Sequence, residues 1–169
     1  ALIRTADSID FDAKVLKAVE SRNNEQKSVL FRKISKHFNG DLNGKTFAMW
    51  GLSFKPNTDD MREAPSRVLM EALWKGGANI QAFDPEAMAE TQRIYGARDD
   101  LNLYDTKELA LEGADALIIV TEWQEFKAPN FELIKQKLKY PLIFDGRNLF
   151  DPKRVSKKGI KYHSIGRSF

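Results

Sequence analysis

Short apolar segments that alternate with amphipathic helical segments constrain the fold of this chain more than any other feature. The clearest is DALIIVT (115–121), a continuous apolar run of the length typical of a strand buried on both faces. Because helical segments separate the strand-like ones, the sequence predicts an α/β fold in which helices cover both faces of a parallel sheet. The other strand-like segments are TFAMWGLSF (46–54), NIQAFD (79–84), PLIFD (141–145) and KYHSI (161–165).

The helical segments between these strands have recognisable ends. Glycine pairs and glycines after aromatic residues are typical stop signals, and Ser, Thr, Asn and Asp are typical helix N-caps. The predicted helices run from Pro65 to Gly76-Gly77, from Asp84-Pro85 towards Tyr95-Gly96, over 106–114 with Thr106 as cap, and over FELIKQKL with Asn130 as cap.

Residues 10–38 are predicted to form one long helix that precedes the sheet. Apolar residues recur there at helical spacing, Ser8 or Asp10 is positioned as the N-cap, and Asn39-Gly40 provides a stop signal. A helix of that length spans about 42 Å, more than a small domain can cover. Asn23 and Gln26 interrupt its apolar stripe. Two interpretations stay open: a partly exposed helix, or a helix that pairs with another chain or with a further domain.

The composition excludes several kinds of site. The 169 residues include no cysteine, so a disulfide, a thiolate zinc site and a cysteine nucleophile are excluded, and two histidines are too few for a histidine-based metal site. The net charge is only +3, and acidic residues are interleaved with basic ones outside Lys153–Lys161, which disfavours a nucleic-acid partner. No apolar run reaches the roughly 18 residues that a membrane span needs. The charged N-terminus does not resemble a signal peptide, so we expect a cytoplasmic protein.

The loops that follow the predicted strands hold the candidate binding residues. Ligands of open α/β sheets bind beyond the carboxyl ends of the strands, where this sequence places Lys55, Arg62 and Arg147. Three cations at one edge suit a diphosphate, because Arg binds phosphate oxygens bidentately and Lys acts as a point charge. The alternative is that they pair with neighbouring carboxylates such as Asp60 and Glu122.

Four other residues of this edge also have two interpretations each. Asp84 ends the second predicted strand, where it could bind a ribose, but helix capping is favoured because no GxGxxG turn is present. The adjacent Asp59 and Asp60 could ligate a metal, although no third ligand is near in sequence, and we expect no metal site. Trp123 is interpreted as a packing residue rather than as a stacking platform.

Four segments in register, GLSFKPNTDDMREAPS, AFDPEA, ADALIIVTEWQEF and IFDGRN, resemble the UDP-glucose/GDP-mannose dehydrogenase family. The resemblance implies a Rossmann-like domain for residues 39–169 that binds a nucleotide sugar, and for residues 1–38 the end of the family's central, dimerising helical region. This family oxidises the C6 alcohol of a nucleotide sugar to an acid with two NAD⁺, through a cysteine thioester. The chain has neither that cysteine nor a GxGxxG, so the resemblance implies a C-terminal piece that is inactive alone, with no catalytic residue of its own.

The resemblance also implies roles for individual residues. Phe54, Lys55 and Arg147 match positions that contact the sugar nucleotide, and Arg62 matches an arginine that reaches the NAD pyrophosphate. By this resemblance, the sequence of the GLSFKPNTDDMREAPS loop favours UDP-glucose as the substrate; GDP-mannose and UDP-N-acetylmannosamine are the alternatives. The implied partner is a second copy, bound through the long helix, with no nucleic acid and no membrane. A competing hypothesis is a free-standing module that binds a nucleotide sugar without chemistry.

Overall fold

The computed structural model describes residues 2–167, and these form a six-stranded sheet with helices on both faces. The strands are β1 (Thr46–Trp50), β2 (Asn79–Phe83), β3 (Leu101–Leu103), β4 (Ala116–Ile119), β5 (Leu142–Asp145) and β6 (Lys161–Ser164). Their order in the sheet is β3-β2-β1-β4-β5-β6, and every neighbouring pair is parallel. This is the order of a doubly wound Rossmann-type sheet, so the predicted fold class is confirmed.

The register places the last residues of four strands in one row. Trp50 pairs with Phe83 on one side and with Ile119 on the other, and Ile119 pairs in turn with Asp145. The loops after β1, β2, β4 and β5 therefore leave the sheet side by side at one edge. The chain turns to opposite sides of β1 at this point, which is the topological switch where ligands of open α/β sheets bind.

Helices cover the sheet on both faces. They are α1 (Leu2–Ser8), α2 (Lys14–Lys27), α3 (Val29–His37), α4 (Pro65–Lys75), α5 (Met88–Tyr95), α6 (Phe131–Lys137) and α7 (Pro152–Lys157). Single 3₁₀ turns lie at Leu109–Leu111 and Gln124–Phe126. None of the helices described within residues 2–167 is both long enough and apolar enough to cross a bilayer.

Alternation along β1 divides the core into two clusters. Phe47 and Met49 point to the face covered by α3 and α4, whereas Ala48 and Trp50 point to the face covered by α6 and α7. Ile34 of α3 is fully buried in the first cluster. Burial of such a side chain contributes about 1.5–3 kcal/mol, so it packs α3 firmly against the sheet.

The predicted long N-terminal helix is confirmed, with different details at its start and middle. Helical structure runs from Lys14 to His37 with one non-helical turn at Ser28, which separates α2 from α3. The predicted caps are wrong: Ala13 occupies the N-cap position and Asp10 has a positive φ of 52°. The short helix α1 before them was not predicted from the sequence.

Several other boundaries differ from the predictions. β1 ends at Trp50 instead of residue 54, because Gly51 has φ +93° and a Cβ there would lie 2.6 Å from the backbone nitrogen of Thr121. The segment 106–114 forms only a 3₁₀ turn, although Thr106 accepts the expected cap bond from the Leu109 N–H at 3.2 Å. The strand β3 and the helix α7 were not predicted. They have only three and six residues, too few to show a periodic pattern in the sequence.

Candidate functional site

A cavity of about 560 Å³ lies at the carboxyl edge of the sheet. Its walls come from the loop after β1, the ends of β4 and β5, the start of α4 and one side of α2. This volume falls in the range of sites that hold a cofactor or a drug-sized ligand. The residues that line it include Glu20, Asn23, Gln26, Lys27, Phe54, Glu63, Val120, Gly146 and Arg147.

The loop after β1 is anchored by the buried carboxylate of Asp84. One oxygen accepts hydrogen bonds from the N–H groups of Leu52 (2.6 Å) and Ser53 (3.0 Å) and from the indole of Trp123 (3.0 Å). The other accepts from the backbone of Ala87 (2.8 Å), just before α5. Both oxygens are occupied and the residue is 1% exposed, so Asp84 binds the protein's own turns and not a ribose. The favoured role as a helix cap is wrong in detail, because Ala87 is the N-cap of α5 and receives no side-chain cap bond; Asp84 instead holds the turn that precedes the helix.

Trp123 is the packing residue that the sequence suggested. Its ring is 7% exposed and belongs to the cluster beneath α6 and α7, and its N–H is committed to Asp84. The loop after β1 is fixed at two further points. The Thr121 hydroxyl donates to the Ser53 carbonyl at 2.6 Å, and the Phe54 N–H donates to the Asp60 carbonyl at 2.8 Å. The loop is therefore a preformed wall.

Phe54 and Arg147 are the predicted site residues that line the cavity. Phe54 is 48% exposed and offers part of its ring to the cavity. Arg147 follows β5, and its N–H donates to the buried Asp145 at 2.8 Å. Its guanidinium donates to Glu122, and this hydrogen bond holds the pKa of Glu122 below its usual range.

Gly146 has no side chain, and neighbouring atoms therefore lie close to its backbone at the wall of the cavity. A Cβ at this position would lie 3.0 Å from both the Ile119 carbonyl and a methyl group of Leu30. A larger residue would therefore require the Leu30 side chain and the end of β4 to shift slightly.

Lys55 and Arg62 lie outside the cavity lining. The Lys55 side chain is exposed and makes no ion pair with any residue that the structure describes. The Arg62 side chain is 87% exposed and binds Asp60 through two nitrogens, at 3.0 and 2.8 Å. Hydrogen bonding to Arg62 lowers the pKa of Asp60 to about 2. Of the three predicted cations, two are thus ion-paired and only Arg147 lines the cavity; their binding roles stay predictions.

Residues of α2 complete the cavity, and these were not among the predicted site residues. The Lys27 ammonium binds Glu63 at 2.7 Å, and its side chain is only 19% exposed. Glu63 lies in the loop after β1 and has a positive φ of 57°. The available signal was the polar interruption of the apolar stripe at Asn23 and Gln26, both of which line the cavity.

Residues 2–167 contain no group of three or more His, Asp or Glu side chains placed to hold a metal ion. Asp60 is instead committed to Arg62 and to the turn of its own loop, where its N–H donates to the hydroxyl oxygen of Thr58 at 3.1 Å. Asp60 therefore shapes the loop.

The loops after β1, β4 and β5, which form one side of this cavity, lie in a segment that matches a known domain. Residues 48–152 match the UDP-binding domain of the UDP-glucose/GDP-mannose dehydrogenase family. The chain belongs to that family. The match begins in β1 and ends at the start of α7, so it includes every loop at the carboxyl edge of the sheet apart from the one that follows β6.

Individual relatives agree with this assignment. The chain is 47% identical to a UDP-glucose 6-dehydrogenase of Pseudomonas aeruginosa and 39% identical to one of Rhizobium meliloti, over 99% of its length in both cases. It spans only 38% of the length of each of these relatives. Its fold superposes on a UDP-glucose dehydrogenase of Pyrobaculum islandicum with a TM-score of 0.82 and 24% identity, covering 99% of this chain and 36% of the other.

Proposed function

We propose that this chain is the sugar-nucleotide-binding part of an NAD-dependent UDP-glucose 6-dehydrogenase, which converts UDP-glucose to UDP-glucuronate. One observation carries the proposal: the UDP-binding domain match covers the loops after β1, β4 and β5 that form one side of the cavity, and Phe54 and Arg147 both line it. In this proposal residues 1–38 are the end of a central helical region, and residues 39–169 are the UDP-binding domain. The 47% identity to a UDP-glucose enzyme favours UDP-glucose over GDP-mannose or UDP-N-acetylmannosamine.

The cavity supplies the groups that a sugar nucleotide needs. The exposed face of Phe54 offers an apolar surface to the base or the sugar, and the guanidinium of Arg147 can bind phosphate oxygens in a bidentate manner. Lys27 adds a second cation inside the cavity. Lys55 lies beside Phe54 with no partner of its own among residues 2–167, so we assign it to the mouth of the site, where the diphosphate enters.

The chain offers one candidate contact for NAD. An exposed guanidinium that Asp60 holds in place, on the outside of the anchored loop, fits a pyrophosphate approaching from another domain. Bound NAD⁺ would accept the hydride that leaves C6. Arg62 is proposed to bind and orient the pyrophosphate; no further residue of this chain is assigned to NAD, because the glycine-rich turn that grips a dinucleotide is absent from the sequence. The covalent steps require a thiol from outside these 169 residues.

We also propose that the working protein is a homo-oligomer in the cytoplasm. Val15 and Val19 of α2 are 76% and 52% exposed, and Phe11 before it is 62% exposed. An apolar stripe of this kind is uncommon on a free surface, and a second copy of the helix would cover it.

Calorimetric titration of the chain with UDP-glucose, UDP, GDP-mannose and NAD⁺ tests the proposal. We expect UDP-glucose and UDP to bind and NAD⁺ alone to bind more weakly than either. Binding of UDP without any NADH formation by the longer protein would favour the non-catalytic module. Binding of GDP-mannose in preference to UDP-glucose would contradict the proposed substrate while leaving the site in place.

A further inference from the structure

A second cavity, of about 510 Å³, lies at the opposite edge of the sheet. It forms where the chain enters β1, β5 and β6, beside the last turn of α3. It shares no lining residue with the cavity at the carboxyl edge. The residues that matter for its chemistry are His37, Phe38, Lys45, Tyr140 and Lys161.

The charge of this second cavity is positive and uncompensated. Lys45 and Lys161 form no ion pair with any residue in the described range 2–167, and no lining residue is a carboxylate. Asp115, at the start of β4 on the same edge, is buried and already bound to Lys139 (3.3 Å) and to the Thr46 N–H (2.8 Å). The two ammonium groups are therefore available to an anion from solution.

Aromatic rings flank these cations. The Lys45 ammonium lies 5.9 Å from the centroid of the Phe38 ring, and Tyr140 is 57% exposed beside Pro141. An aromatic ring can stack on such faces, and its neighbouring cation can hold an attached anionic group. The volume suits a ligand of nucleotide size or smaller.

His37 adds a group whose protonation responds to an anion. Its Nδ1 is hydrogen-bonded to Nε2 of His163 at 3.1 Å. Burial, and then the nearby charge of Lys161, lower the pKa of His37, so the ring is neutral at pH 7. A phosphate between these groups would offset the charge of Lys161 and raise that pKa again.

We propose that this second cavity binds a small aromatic phosphate monoester, with Lys45 and Lys161 on the phosphate and Phe38 and Tyr140 on the ring. A ligand that carries both groups should bind more tightly than either group alone, because Tyr140 and Lys161 are exposed and Phe38 and Lys45 are partly exposed at this cavity. The site is separate from the proposed function, since it lies at the other edge of the sheet.

The test is an NMR titration of the 169-residue chain with phenyl phosphate, with inorganic phosphate and phenol as separate titrants. We expect saturable shifts of the His37 and Tyr140 ring signals and a higher His37 pKa in the complex. Lys45→Gln or Lys161→Gln should weaken phenyl phosphate binding about tenfold. Lys157→Gln, an equally exposed lysine of α7, is the matched control and should leave the affinity unchanged.

Three results would overturn the proposal. Equal affinity in the Lys161→Gln and Lys157→Gln variants would remove the cations from the site. Inorganic phosphate binding as tightly as phenyl phosphate would remove the aromatic wall. Loss of phenyl phosphate binding in the Arg147→Ala variant, with binding kept in Lys161→Gln, would place it in the other cavity. Tyr140→Ala gives an independent check, because it should weaken phenyl phosphate and leave inorganic phosphate unaffected even where a lysine variant folds poorly.

Discussion

The two cavities lie at opposite edges of one sheet and have similar volumes, yet they treat their cations differently. At the carboxyl edge, the two cations that line the cavity are each bound to a carboxylate: Lys27 to Glu63 and Arg147 to Glu122. At the amino edge, Lys45 and Lys161 have no such partner within residues 2–167. The cations of the carboxyl-edge cavity are therefore held in place before a ligand arrives. Those of the amino-edge cavity are not, and this cavity would attract an anion through their unpaired charge.

The difference has a physical consequence for anion binding. A carboxylate partner holds a cation in place and reduces the ordering cost of binding, but an incoming phosphate must share or displace it. Unpaired lysines need no displacement, but they lose more side-chain freedom when a ligand binds. Binding at the carboxyl edge should thus be geometrically selective, and binding at the amino edge should depend more strongly on salt.

The largest effect is expected from Asp84→Ala, which removes the anchor of the carboxyl-edge loop. The substitution leaves the N–H groups of Leu52 and Ser53 and the indole of Trp123 without their shared acceptor. We expect the free energy of unfolding to fall by about 3 kcal/mol or more, as measured by urea denaturation. Asp105→Ala is the control, because Asp105 is exposed and should change stability by less than about 0.5 kcal/mol.

If Asp84→Ala were as stable as Asp105→Ala, the loop would not depend on this carboxylate. The phenyl phosphate affinity of the amino edge should survive Asp84→Ala at temperatures where the variant is folded. If Asp84→Ala folded normally but lost both UDP binding and phenyl phosphate binding, this result would contradict the separation of the two cavities.

The second effect concerns the ligand of the carboxyl edge. Arg147→Ala should weaken UDP binding by about 1.5–3 kcal/mol, or roughly tenfold or more, as measured by calorimetry. Lys55→Ala should cost less, because Lys55 does not line the cavity. Arg154→Ala on α7 is the matched control. An unchanged UDP affinity in the Arg147 variant would remove this arginine from the site.

Glu122→Gln sharpens the same comparison. This substitution frees the guanidinium of Arg147 from a charged partner while keeping a side chain of the same size. If phosphate must displace the carboxylate, UDP affinity should rise by about two- to fivefold. A fall in affinity would show instead that Glu122 holds Arg147 in its binding position and that the loss of order outweighs the gain in charge.

Arg62 should affect the other substrate. In a full-length enzyme that contains this chain, Arg62→Ala should raise the Michaelis constant for NAD⁺ by about three- to tenfold and change that for UDP-glucose less. Arg62→Lys should restore only part of the loss, since an ammonium cannot reproduce the bidentate fork. A variant that loses UDP binding and keeps its NAD⁺ dependence would contradict the placement of Arg62 on the outer side of the loop.

The sequence predicted the elements whose evidence is local. Continuous apolar strands and capped helices identified the parallel sheet, and the rule of strand carboxyl ends placed Phe54 and Arg147 at one edge, where they line one cavity. It also gave the packing role of Trp123 correctly, because an aromatic residue after a buried strand most often enters the core.

What depends on long-range geometry could not be predicted in the same way. The sequence does not show that α2 folds back beside the β1 loop, so Lys27 and Glu63, 36 residues apart, gave no sign of their ion pair. The amino-edge cavity is assembled from the starts of three strands and the end of a helix, and none of its residues forms a motif. The sequence placed Lys55 in the same predicted site as Arg147, because residue spacing locates the loop in the fold but does not give the direction of its side chains.

The smallest effect is a pH dependence of stability that arises at the amino edge. His163 stacks on Phe144 with ring centroids 4.9 Å apart, and it faces the imidazole of His37 and the charges of Lys161 and Lys33. Burial, followed by His37 and the two lysines, lowers its pKa from 6.5 to about 4. The folded chain therefore holds His163 neutral where the unfolded chain protonates it.

The sign follows from proton binding. Between pH 6.5 and about 4 the unfolded state binds more protons than the folded state, so stability is fully present above pH 6.5 and is lost as the pH falls towards 4. Because the ring is only partly buried, solvent screening reduces the loss to about 1 kcal/mol. His163→Gln should remove this part of the pH dependence in urea denaturation at pH 7 and pH 4.5, whereas Lys157→Gln should retain it. If the free energy of unfolding depended on pH in the same way in both variants, the protonation of the two imidazoles would not be coupled to folding. Phenyl phosphate bound beside His37 should reduce the pH dependence of the wild-type stability.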